Sequence, residues 1–129
     1  MNLLFINDLK SKKDFDVILL INTILESNFN NFLMKISSKG DWVEELCCCY
    51  YETDHEKEYY RFETFEGNHS LLPYEQFTNY VELAIIRYLL ACSPEKRIVS
   101  EKIVNRTIFA SALDNVEESF STGVPLVGE

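Results

Sequence analysis

Two histidines, four cysteines and a crowd of carboxylates are the side chains of this sequence with chemistry to offer. His55 and His69 alone titrate ordinarily near neutrality, which makes them the only ready acid–base candidates. Paired in space with Cys47 or Cys49, a histidine could activate a thiol nucleophile. Both histidines fall in expected turns, however, and an exposed imidazole is the simpler account of each. Three cysteines are consecutive, Cys47, Cys48 and Cys49. Adjacent residues of a strand face opposite sides, so Cys47 and Cys49 share one face and Cys48 takes the other. A zinc site would need a second ligand pair at C-x2-C or H-x3-H spacing, and none is present. Buried, reduced thiols acting as small apolar side chains are the expectation, in keeping with a reducing cytoplasm. The four glycines, Gly40, Gly67, Gly123 and Gly128, are too scattered for a phosphate-cradling loop. No G-x-S-x-G, H-E-x-x-H or EF-hand pattern occurs. No catalytic residue, cofactor or metal ligand is therefore assigned.

The carboxylates are the stronger signal. The chain has 129 residues and a net charge of −9. Residues 41–66 hold nine acids against two bases. This segment repels nucleic acid and anionic lipid and attracts a basic partner. As a solvated strand face the acids need no function. As a docking surface they have a mechanism: opposed charge speeds encounter and selects the partner, while buried aromatic residues supply most of the affinity. Tyr50, Tyr51, Tyr59 and Tyr60 are interleaved with the acids. The candidate contact residues are Glu52, Asp54, Glu56, Glu58 and Glu63, with Tyr51 and Tyr59 as anchors.

The elements that would position them follow from periodicity. Asp14 to Ser27 reads as a helix with Asp14 as its cap; Phe15, Ile18, Leu19, Asn22 and Leu25 form its stripe, widened by Ile21 and Ile24. A break at residues 28–31 leads to a second helical piece over 32–37, stopped by Gly40. Residues 42–52 read as a strand, whose first part, 43–46, could instead close a helix. A polar connection at 53–57 and a strand over 59–65 complete an antiparallel hairpin. A turn at 66–69 and a short strand at 70–72 follow. A long helix starts near Pro73 with Phe77, Tyr80, Val81, Ala84, Ile85, Tyr88 and Leu89 in helical rhythm. Ser93-Pro94-Glu95 starts another, running to about Val104. Residues 107–113 fit strand or helix, and 119–129 read as a frayed tail. The expectation is a single α+β domain over 1–129: N-terminal helices, a small antiparallel sheet, and two C-terminal helices packed on it.

Several short motifs occur in order: Gly40-Asp41-Trp42 entering the hairpin, Phe65-Glu66-Gly67 at the turn, Leu72 to Phe77 opening the long helix, and Tyr88 to Glu95 closing it. Over about residues 40–104 the chain resembles the small immunity proteins of bacterial contact-dependent growth inhibition and related polymorphic toxin systems. The resemblance implies a cytoplasmic protein that binds one cognate toxin domain, often a nuclease, and blocks its active site or substrate groove. Nucleases grip phosphates and tend to be basic, so an acidic inhibitor mimics their substrate's charge. Such proteins share no catalytic residues, and none is carried over. The triple cysteine and the C-terminal tail match no pattern of the family.

The expected function is stoichiometric inhibition of a basic toxin domain. A small adaptor or chaperone-like interaction protein is the alternative, and a Cys/His enzyme a further one. No nucleic-acid or membrane partner is expected: Val17 to Ile21, the longest apolar stretch near the start, is far short of the roughly 20 residues of a span. Lys10, Lys12 and Lys13 follow the apolar N-terminal residues, the reverse of a signal peptide. Localisation is therefore expected to be cytoplasmic.

Overall fold

The long apolar stretch 15–25 can turn either of two stripes inward, and polar Asn22 decides between them. A computed structural model describes residues 1–122 of the chain, with side chains through residue 119. In it helix α1 spans Phe15–Thr23 and buries Val17, Leu20 and Ile21, continued by Ile24. Phe15 and Leu25, expected on the core stripe, are exposed. Asn22 is off the core because its amide is needed elsewhere. Its Oδ1 accepts from the backbone N–H of Leu3 and Leu4, and its Nδ2 donates to the Leu4 carbonyl. The N-terminal segment is thereby clipped along α1, with Leu3 and Leu4 in the core. Asp14 does not cap α1 with its side chain. Its buried carboxylate accepts from the hydroxyl of Tyr80 at 2.6 Å and the amide of Gln76, tying the start of α1 to the long helix that carries both.

The expected break at 28–31 falls earlier. Ile24 is extended, Glu26–Asn28 forms a 3-10 turn, and α2 spans Phe29–Ser37. Starting at Phe29 lets Phe29, Phe32, Leu33 and Ile36 share one buried face. The helix ends in a Schellman arrangement: Lys39 N–H bonds to the Ile36 carbonyl at 3.0 Å and Gly40 N–H to the Lys35 carbonyl at 2.9 Å. The left-handed position is Lys39, at φ 60°, and not Gly40.

Four antiparallel strands follow as a meander: β1 Trp42–Val43, β2 Cys47–Asp54, β3 Lys57–Thr64 and β4 His69–Pro73. Strand period two sorts their side chains into two faces. Cys47, Cys49, Tyr60, Phe62 and Leu72 lie in the core. Their cover is α1 and the long helix α3, Tyr74–Ala91, whose Phe77 ring meets Tyr60 at 4.6 Å and Phe62 at 5.4 Å. Helix α4, Pro94–Val104, packs chiefly on α2 and α3. Helix α5, Ala112–Thr122, packs on α3. Ser93 caps α4 as its sequence predicts. The architecture is the α+β fold expected, with one strand and one helix more than were counted. Residues 119–122, read as tail, belong to α5; 123–129 lie outside the described residues.

One ion pair is built into the interior. Arg87, 8 % exposed on α3, donates to both carboxylate oxygens of Asp8, at 2.5 and 2.8 Å, and to the Leu3 carbonyl at 2.9 Å. Its hydrogen bonds hold the Asp8 carboxyl below the ordinary value of 3.8.

Candidate docking face of the sheet

The side chains that alternate away from the core make an uncovered face. Register lines them up in rows: Val43, Cys48, Glu63 and His69; then Tyr50, Arg61 and Leu71; then Glu52, Tyr59 and Pro73; then Asp54 and Lys57. Val43 and Leu71 are 67 % and 61 % exposed, which leaves large apolar side chains in water near two charged rows. Arg61 stands at the middle. Its guanidinium donates from Nε to Glu52 and from Nη1 to Glu63, and its Cζ lies 4.8 Å from the centre of the Tyr50 ring. His69 Nδ1 is 3.5 Å from the same Glu63 carboxylate. Two carboxylates and one aromatic ring thus fix a planar cation that would otherwise swing freely.

The seven residues expected to make contact do not share one surface. Glu52, Asp54, Tyr59 and Glu63 lie on the uncovered face, and Glu56 sits in the β2–β3 turn. Tyr51 and Glu58 alternate to the other side. The Tyr51 ring meets Tyr60 and Tyr74 edge-on at 5.8 and 6.0 Å, and its hydroxyl donates to Glu58. Lys39 Nζ is 2.5 Å from Glu58 and lies over the Tyr51 and Tyr74 rings at 5.5 and 5.3 Å. Those bonds from Lys39 and Tyr51 lower the Glu58 pKa. The hairpin is consequently not one continuous negative rib: Glu52, Glu58 and Glu63 are each met by a cation of the same chain. Sequence reasoning assigned no contact role to Arg61, Tyr50, Val43 or Leu71. The available signal was alternation itself: with Cys47 and Cys49 facing inward, Tyr50 must face out, and of adjacent Leu71 and Leu72 one must be exposed.

The thiol chemistry is equally constrained. Burial pushes the Cys47 thiol up to about 12, and burial raises Cys49 too. Neither forms a nucleophilic thiolate near neutrality. The length of β2 separates Cys47 from His55, about 23 Å at strand rise. His69 is two strands from Cys48, about 10 Å. Neither pairing brings a base to a thiol. Among the described residues no group of three His, Cys, Asp or Glu is placed to hold a metal ion, and no helix is long and apolar enough to cross a membrane. Compared with family models, curated proteins and solved structures, the chain matches none.

Proposed function

We propose that this chain is an immunity protein that neutralises a basic bacterial toxin domain by docking on the uncovered face of its sheet. The observation that carries the reading is the central row of that face, where Tyr50, Arg61 and Leu71 stand side by side between Glu52 and Glu63. Aromatic and arginine side chains are the residue types in which binding energy concentrates, and a polar surround that excludes water is their usual setting. The face accounts for affinity through Tyr50, Tyr59, Leu71 and Val43. The overall charge of −9 accounts for encounter with a cationic partner and for rejection of anionic ones. The inhibitor forms no bond and passes through no covalent step; it occupies the toxin's substrate-binding surface.

A toxin reading frame immediately upstream of the gene would supply the partner for the test. With that toxin domain in a titration calorimeter, Tyr50→Ala should weaken binding about tenfold or more, a loss of about 1.4 kcal/mol or more. Arg61→Glu should weaken it further and abolish protection of cells expressing the toxin. Unchanged affinity in both variants, each folded by circular dichroism, would reject this face. An adaptor would bind through the same face, and is told apart by failing to protect cells.

A further inference from the structure

Away from the uncovered face, five large apolar side chains are exposed around the start of α1 and the end of the sheet. They are Phe5, Ile6, Phe15, Leu46 and Phe65, the last 74 % exposed. Scattered singly such residues mean little, but these converge on two adjoining grooves that share Phe15. One groove, of about 400 Å³, is walled by Leu4, Phe5, Ile6, Phe15 and Ile18 and carries no charge. The other, of about 360 Å³, lies between α1 and the β3–β4 turn. Phe15, Leu19, Leu46 and Phe65 line it, with Asp16 and Glu66 beside them. Neither groove is lined by a lysine or arginine.

We propose that these grooves receive a basic amphipathic helix of a protein partner. Each groove has room for one or two bulky apolar side chains. Two such sites side by side match anchors one or two helical turns apart on a single helix. The charge is asymmetric: only the second groove presents carboxylates, so the cations of the guest lie beyond its second anchor. A second copy of this chain is a poor guest, because a two-fold contact would set Asp16 and Glu66 near their own duplicates in molecules of charge −9. Anionic lipid is excluded by the same charge. The inference stands apart from the toxin reading, which rests on the other face of the sheet.

The test uses the whole chain, labelled with nitrogen-15, and a 14-residue leucine–lysine amphipathic peptide as probe. A leucine–glutamate peptide of the same apolar pattern is the control. The leucine–lysine peptide should bind saturably and shift the amides of Phe5, Phe15, Leu46 and Phe65. Phe65→Ser, at the most exposed of the five positions, should weaken it at least tenfold without lowering the thermal midpoint. Asp16→Asn with Glu66→Gln should weaken it about threefold or more; the side-chain amide oxygen introduced by Asp16→Asn can still accept the hydrogen bond that Ser70 gives Asp16. Glu117→Gln with Glu118→Gln on α5 should leave the peptide affinity unchanged. Equal affinity for the leucine–glutamate peptide, shifts confined to Tyr50 and Leu71, or an equal loss in the α5 variant would overturn the proposal. So would a dimer in sedimentation that Phe65→Ser dissolves, which would make a second copy the guest.

Discussion

Arg87 is the side chain whose loss would be felt farthest. It is buried, it reaches two segments of the N-terminal stretch, and its guanidinium meets both oxygens of the Asp8 carboxylate. Removing the anion takes the paired carboxylate away from a buried cation. Asp8→Asn should therefore cost about 3 kcal/mol in urea denaturation at neutral pH. The pH dependence follows from the depressed Asp8 pKa. A carboxylate with a folded value below its ordinary 3.8 contributes stability fully above that value and loses it as pH falls through the folded value. The gap between wild type and Asp8→Asn should close as pH falls from about 4 through the lowered folded value. Parallel stability curves across that range would show that the pair contributes no charge-dependent stability. Nothing in the sequence announced this contact. Asp8 and Arg87 lie 79 positions apart, and Arg87 sits in an apolar helical run where a snorkelling surface arginine is the ordinary reading.

At the scale of elements, the β2–β3 hairpin is held together at some cost. Its two turn residues, His55 and Glu56, have φ of 48° and 67°. A two-residue loop with both residues at positive φ favours Asn-Gly, and side chains such as these are strained there. Replacing them as His55→Asn with Glu56→Gly should raise stability by about 1 kcal/mol. An unchanged or lower urea midpoint would mean that the two native side chains make offsetting contacts. The hairpin itself was legible, because two runs of β-prone residues flanked a short polar link. The helix α1 was legible as a helix but not in phase. Apolar residues at every position from 17 to 21 satisfy two stripes equally, and only the tertiary use of Asn22 selects one. The end of α2 was legible in place, but Gly40 drew the reading away from Lys39. The glycine serves close approach: a Cβ there would stand 3.0 Å from the Lys35 side chain.

For the molecule as a whole, charge was read from composition and its distribution from position in the chain. Only the first survives folding intact. Acids neighbouring in sequence part to opposite faces on a strand, so Glu58 and Glu63 end on different sides of the sheet, each beside its own cation. The field that remains is diffuse, and a diffuse field governs approach more than grip. Association with the proposed cationic partner should slow by tenfold or more between about 50 and 500 mM salt while dissociation changes little. A salt-independent association rate in stopped flow would remove electrostatic steering from the account. The candidate site was half legible for the same reason: strand alternation foretold which residues share a side, but not which side lies open.

The clip that Asn22 and Arg87 place on the N-terminal segment also sets a timetable. Asp8 leaves the ribosome 79 residues before the arginine that will hold it, an interval of about 4–16 s at 5–20 residues per second. The meander, by contrast, pairs neighbours and can zip as soon as each strand emerges. Leu3 and Leu4, clipped along α1 by Asn22, must therefore wait for the rest of their cover until α3 has been made. A segment made before α3 is among the last to be fully covered.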